Sequence, residues 1–190
     1  MKYDILLCGV GGQGVLSIAA VIASSAMAEG LHVRQSEVHG MSQRGGGVHA
    51  HLRLSDERIA SDLIPAGQAD MIISLEPLES LRYLNWLKKE GTIVTAKLPF
   101  VNIPNYPSLD KVYASIRSAS ASAKIIDSAE LAKTAGNIRT ENMVLVGATL
   151  GSIPVSKKAV EDGIRARFAT KDPKLVDINI KALELGETYK

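Results

Sequence analysis

Apolar residues dominate the run from Tyr3 to Cys8 without alternation, as in a strand covered on both faces. Gly9-Val-Gly-Gly-Gln-Gly14 follows and opens directly into Val15 to Ala28, where Val15, Ile18, Ala19, Ile22 and Ala26 recur at helical spacing until Gly30 stops the helix. The pattern predicts strand, glycine turn and helix, with a return strand over Leu31 to Gln35. A polar, glycine-rich loop spans Ser36 to Gly47. Val48, Ala50, Leu52 and Leu54 then alternate with His49, His51 and Arg53, a strand with one buried face. Ser55-Asp56-Glu57 is expected to turn the chain back into a hairpin arm, Arg58 to Ser61, which makes the sheet mixed.

Ala69 to Leu75 predicts the next strand, and Pro77 starts a helix where its missing N–H costs nothing. Leu78, Leu81, Leu84 and Leu87 read as its buried stripe, with Tyr83 and Trp86 at the core edge. A strand over Thr92 to Ala96 runs into a loop punctuated by Pro99, Pro104 and Pro107. Ser108 caps a helix to about Ser120, and Lys124 to Ile126 is a short strand. Asp127 and Glu130 have capping-box spacing for a helix ending at Gly136. The nearly unbroken apolar run Asn142 to Leu150 predicts a buried helix, and Ser156 to Phe168 and Pro173 to Leu185 complete a helical carboxy-terminal part. The sum is a single three-layer α/β/α domain over residues 1–190, Rossmann-like with a mixed sheet.

Composition narrows the function. A chain of 190 residues that is 46% hydrophobic holds one sizeable core. The net charge of +2 is spread along the chain and aromatic content is 4%, so nothing suggests a nucleic-acid groove. One cysteine, Cys8, rules out a disulfide within the chain and a cysteine-ligated iron–sulfur cluster built by it alone. The amino terminus reads as a strand with no charged-then-apolar leader, and Ser17, Ser24, Ser25 and Glu29 interrupt the first helix. The expectation is a cytoplasmic, soluble protein with no membrane segment.

Candidate chemistry gathers in two segments. The turn Gly9, Gly11, Gly12, Gln13, Gly14 needs positive φ and leaves helix N–H groups open to an anion, although many such turns serve only close helix-to-strand packing. The loop Ser36 to Gly47 brings Glu37, His39, Gln43, Arg44, Gly45 and Gly46. If the first two strands are neighbours, this loop lies beside the turn at the carboxyl ends of the strands, where open α/β sheets bind ligands. Arg44 could then fork onto a phosphate or carboxylate, or pair with Glu37 within its own loop. Glu37 also sits where a nicotinamide-binding unit places its ribose-binding acid. His49 and His51 share one side of a strand, but without a third ligand an exposed or interface pair is expected. Cys8 reads as a small buried hydrophobe, and no serine has an elbow context.

Gly9-Val-Gly-Gly-Gln-Gly14 and Ser36-Glu-Val-His-Gly-Met-Ser-Gln-Arg-Gly-Gly46 resemble the small (beta) subunit of indolepyruvate:ferredoxin oxidoreductase, itself similar to the gamma domain of pyruvate and other 2-oxoacid:ferredoxin oxidoreductases. Leu75-Glu-Pro-Leu-Glu-Ser-Leu-Arg82 and Asn142-Met-Val-Leu-Val-Gly-Ala148 carry the likeness across most of the chain, and the Glu-Val-His-Gly-Met-Ser-Gln-Arg run is particular to the aryl-pyruvate branch. The resemblance implies a non-redox subunit working with a larger alpha subunit. That partner would carry thiamine diphosphate, magnesium and iron–sulfur clusters, decarboxylate an aryl 2-oxoacid to an acyl-CoA and pass electrons to ferredoxin. The glycine turn and the Ser36–Gly47 loop would face that subunit or coenzyme A at the interface, and the chain alone would self-associate. Three other readings stand beside it: the gamma subunit of another 2-oxoacid ferredoxin oxidoreductase, of pyruvate or 2-oxoglutarate type; a free-standing NAD-binding Rossmann dehydrogenase using the glycine turn and Glu37; and a nucleotide- or phosphate-binding module attached to no enzyme.

Overall fold

The computed structural model describes residues 1–39, 45–101, 103–168 and 172–189. Its six-stranded sheet comprises β1 (Lys2–Val10), β2 (His32–His39), β3 (Gly47–Ser55), β4 (Ala69–Ser74), β5 (Leu87–Ala96) and β6 (Lys124–Ile126), in the order β2-β3-β1-β4-β5-β6. β1, β4, β5 and β6 run parallel, whereas β3 pairs antiparallel with both β1 and β2. The sheet is therefore mixed, but the hairpin that makes it so is β2–β3, not the expected arm at Arg58 to Ser61, which forms no strand. β2 also runs to His39, so Ser36 to His39 belong to a strand and not to a loop.

Alternation along β1 divides the core. Ile5 and Leu7 join one apolar cluster and Leu6 and Cys8 the other, all at most 1% exposed, so this strand is covered on both faces. The larger cluster lies under α1 (Val15–Ala28), α4 (Ser128–Ala135), α5 (Glu141–Thr149), α6 (Lys157–Phe168) and α7 (Pro173–Glu187). The smaller lies under α2 (Pro77–Arg82), the 3-10 turn Leu84–Trp86 and α3 (Leu109–Ala119). Leu87 is the first residue of β5, so the leucine stripe expected for α2 is cut short by the Leu84–Trp86 turn. α5 and α7 cross with backbones in contact: a Cβ on Gly147 would lie 2.0 Å from the Leu183 carbonyl oxygen, and one on Gly186 would lie 1.9 Å from that of Val144.

Residues 56–68 cross the other face of β3 without strand pairing. Arg53, 6% exposed, holds them down: its guanidinium donates to both oxygens of Asp4 at 2.9 and 3.3 Å and to the carbonyls of Ser61 and Leu63 at 2.9 Å. Lys2 adds an ion pair to the fully buried Asp4 at 3.0 Å. Side-chain bonds have replaced the hairpin ladder.

Candidate functional site

The glycine turn closes β1 at the carboxyl edge of the sheet. Gly14 is the N-cap of α1 with φ 93°, and it carries no side chain to cap the helix. A Cβ there would sit 2.9 Å from Nδ2 of Asn142 on α5, so both the backbone conformation and the space require glycine. Gln13 is committed to the fold: its Oε1 accepts from the Val10 amide at 2.7 Å and its Nε2 donates to the Leu75 carbonyl at 2.9 Å. Those two bonds tie the ends of β1 and β4. Gly11 donates to the Gly46 carbonyl at 2.8 Å and accepts from the Gly45 amide at 3.3 Å. The amides of Gly12, Gly14, Val15 and Leu16 find no acceptor among the described residues.

The end of the Ser36–Gly47 stretch thus does lie against the turn. The reason differs from the one anticipated, because β1 and β2 are not neighbours. β3 stands between them, and its antiparallel pairing with β1 carries on through Gly45 and Gly46. Glu37 is accordingly set apart from the turn, exposed on β2 opposite Ala50, with its Oε1 accepting from Gln35 at 2.6 Å. His39 ends β2 opposite Val48. Gln43, Arg44 and the side chain of His39 lie outside the described residues.

Two clefts flank the turn. One of about 370 Å³ is lined by Val10, Leu16 and Val48 beside the glycines. The other, of about 690 Å³, opens between the turn, the 3-10 turn Ile138–Thr140 and α7. Asn142, Arg139 and Asn179 line it, three polar residues far down the chain that sequence reading did not join to the glycines.

On the opposite face of the sheet, where an exposed or interface-facing pair is expected, His51 is buried and His49 half-buried. The His49 ring stands 4.7 Å from Tyr83, His51 stands 6.0 Å from Trp86, and His51 Nδ1 accepts from the Ile64 amide at 3.2 Å. Burial lowers the pKa of both, and for His51 the charges of His49 and Arg53 add to it. Tyr83 and Trp86 thus wall a histidine pair at the core edge. Cys8 is 1% exposed with its thiol pushed far up by burial, the inert residue expected.

Nearby, Glu76 caps α2 by accepting from the Glu79 amide at 2.8 Å and also takes a hydrogen bond from the Tyr106 hydroxyl at 2.5 Å. The Glu79 side chain is 5% exposed. Its Oε1 pairs with Arg82 at 3.1 Å, while its Oε2 is buried without a hydrogen-bond partner among the described residues, and burial raises its pKa. Glu-Pro at Glu76-Pro77 was the available signal for this cap, since Pro at the first helical position makes the residue before it the N-cap.

The profile of the family "Pyruvate ferredoxin/flavodoxin oxidoreductase" matches residues 4–189. The chain is 40% identical to the indolepyruvate oxidoreductase subunit IorB of Archaeoglobus fulgidus over 98% of its own length and 94% of that protein's. Among solved structures it is similar to the gamma subunit of a keto/oxoacid ferredoxin oxidoreductase from Geobacter sulfurreducens, with TM-score 0.69 and 25% identity over 97% and 95% of the two chains. It also superposes, with TM-score 0.79 at 20% identity, on 30% of the chain of a 2-oxoglutarate:ferredoxin oxidoreductase from Magnetococcus marinus that has coenzyme A and succinyl-CoA bound, covering 98% of this chain. With nearly every residue matched to the profile and to a relative of similar length, the chain belongs to the pyruvate ferredoxin/flavodoxin oxidoreductase family.

Proposed function

We propose that this chain is the small, non-redox subunit of an indolepyruvate-type 2-oxoacid:ferredoxin oxidoreductase. The observation that carries the reading is the 40% identity to the Archaeoglobus fulgidus subunit along almost the whole of both chains, against 25% and 20% for the keto/oxoacid and 2-oxoglutarate relatives. Thiamine diphosphate, magnesium and the clusters belong on a larger alpha subunit, since a single buried cysteine with a raised pKa does not fit cluster ligation. Those groups supply the carbanion and electron-transfer chemistry. This chain supplies binding surface, orientation and closure of the site.

Exposed apolar side chains support the docking face. Leu16 after β1, Val38 near the end of β2 and Leu98, Phe100 and Val101 after β5, between 41% and 65% exposed, all lie along the carboxyl edge of the sheet. A partner covering that edge would bury them and would meet the Gly45–Gly46 backbone, with coenzyme A at the same interface. We place the subunit in the cytoplasm with its proposed partner; among the described residues no helix is long and apolar enough to cross a membrane. The dehydrogenase reading loses its acid, because Glu37 is a full strand removed from the turn.

The test is to purify the tagged chain from cells that contain its natural partners. A large subunit carrying thiamine diphosphate and iron–sulfur clusters should co-purify, and only the complex should reduce a viologen dye with indolepyruvate. Dye reduction by the isolated chain, or saturable NADH binding to it without any such partner, refutes the reading. Arg44→Ala should leave the melting temperature of the isolated chain unchanged while weakening assembly or raising the KM for coenzyme A.

A further inference from the structure

The two edges of the sheet are built differently. β6, at one end, has three residues and begins with Lys124, the short and charged form that discourages further pairing. β2, at the other end, runs eight residues with no proline or lysine. Its register with β3 is unbroken from His32 opposite Ser55 to His39 opposite Val48, so no bulge turns its outer side away. Such a strand offers a row of N–H and C=O groups along its free side. Its two charged side chains are already engaged: Arg34 pairs with Asp62 at 3.6 Å, and Glu37 accepts from Gln35 at 2.6 Å. One face of the strand is open as well, because no described residue of β2 joins the smaller apolar cluster, and Val38 on that face is 48% exposed.

The side chains of β2 fit a second copy of β2, and they fit it in one register. In an antiparallel pair related by a two-fold axis that continues the sheet, opposite residues share a face, so the axis passes through a residue. An axis at Arg34 or at Glu37 sets like charges against each other. An axis at Gln35 puts each Glu37 carboxylate opposite Val33 of the other copy, where it finds no donor. With the axis at Ser36, Gln35 of each copy lies opposite Glu37 of the other. The amide-to-carboxylate hydrogen bond now made within one exposed strand is then made twice across the interface. Arg34 falls opposite Val38, whose exposed side chain its aliphatic stem covers, and two small serines meet at the axis.

We infer that two copies of this chain pair edge to edge through antiparallel β2 strands, with the two-fold axis at Ser36, joining two six-stranded sheets into one. The inference does not use the subunit reading. The contact runs along the free side of β2, not through the carboxyl edge assigned to the larger subunit, and the test reads contact between copies and not assembly or turnover, so either can fail without the other.

Ser36→Cys gives the full chain one accessible thiol, since Cys8 is 1% exposed. At the axis the two Cα atoms stand about 4.5–5.5 Å apart, within the span that a disulfide bridges. Under a mild oxidant this variant should form a disulfide-linked dimer about tenfold faster or more than Leu98→Cys, an equally exposed thiol on the carboxyl edge. The wild-type chain should sediment as a dimer. Ser36→Lys and Ser36→Glu should each sediment as monomers, because like charges meet at the axis, and an equimolar mixture of the two should recover the dimer. A wild-type chain that stays monomeric at millimolar concentration, cross-linking of Ser36→Cys no faster than that of Leu98→Cys, or dimers that persist in the separate lysine and glutamate variants overturns the inference.

Discussion

Arg53→Met tests whether residues 56–68 are held on the sheet by one buried cation. The substitution leaves Asp4 fully buried, removes both hydrogen bonds from the guanidinium to its carboxylate, and frees the carbonyls of Ser61 and Leu63. Breaking a buried pair on one side costs about 3–5 kcal/mol, because the stranded charge keeps its desolvation penalty. Lys2 still reaches Asp4 at 3.0 Å from a half-exposed position, which draws the expected loss toward the lower end of that range. At about 2–4 °C per kcal/mol for a chain of this size, the melting temperature should fall by roughly 6–20 °C. Adding Asp4→Leu should restore much of the loss, since two apolar partners leave no charge behind. Calorimetry and urea titration of the four proteins of this cycle give the coupling energy. A loss below about 1 kcal/mol in the single variant would mean that the pair is solvated and that something else holds the segment.

Gly186→Ala should drive a methyl group into the Val144 carbonyl and part α5 from α7, costing about 3 kcal/mol or more by urea midpoint; a loss under about 1 would mean the crossing adjusts freely. Gln13→Ala leaves the Val10 amide and the Leu75 carbonyl unpaired and should cost about 1–3 kcal/mol, read by the same titration, with unchanged stability showing that water replaces the side chain. Glu79 has its pKa raised by burial, so the folded chain holds its proton more tightly than the unfolded one, and the stability this linkage contributes is present at acid pH and lost as pH rises through the folded value. Glu79→Gln should therefore be more stable than the wild type at pH 7, with the gain vanishing as pH falls below the ordinary glutamate range, and a thermal scan at stepped pH that finds the variant less stable at neutrality refutes this.

Legibility followed the reach of each signal. α1 appears with the predicted bounds because three local cues agree: a glycine at its start, the Val15–Ala26 repeat and a stop at Gly30. The capping pair Asp127 and Glu130 and the buried run of α5 were likewise local and correct. The hairpin was misplaced because Ser55-Asp56-Glu57 does look like a turn, while what fixes the next residues is the side chain of Arg53 reaching across the sheet. Leucine spacing carried α2 too far, since nothing in that spacing marks the Leu84–Trp86 turn. At the site, the glycines were readable from their neighbours in sequence. Asn142 and Asn179 were not, as their amides acquire meaning only when α5 and α7 close over the start of α1.

The placement of β3 decides what the glycine turn can do. In a dinucleotide-binding unit the second strand lies next to the first, which puts its terminal acid beside the turn to take a ribose. Here β3 is inserted antiparallel between them, so the acid on β2 is about 10 Å from β1, two strand spacings away, and the turn's neighbour is the bare backbone of Gly45 and Gly46. The turn keeps its open amides and loses its sugar-binding partner. Positive charge stands on the other side, where Arg139 and Arg167 arrive on the carboxy-terminal helical part and Asn142 lines the cleft. A Rossmann-like turn is thereby separated from the acid that nicotinamide binding uses, and its near neighbour is the glycine end of the inserted hairpin.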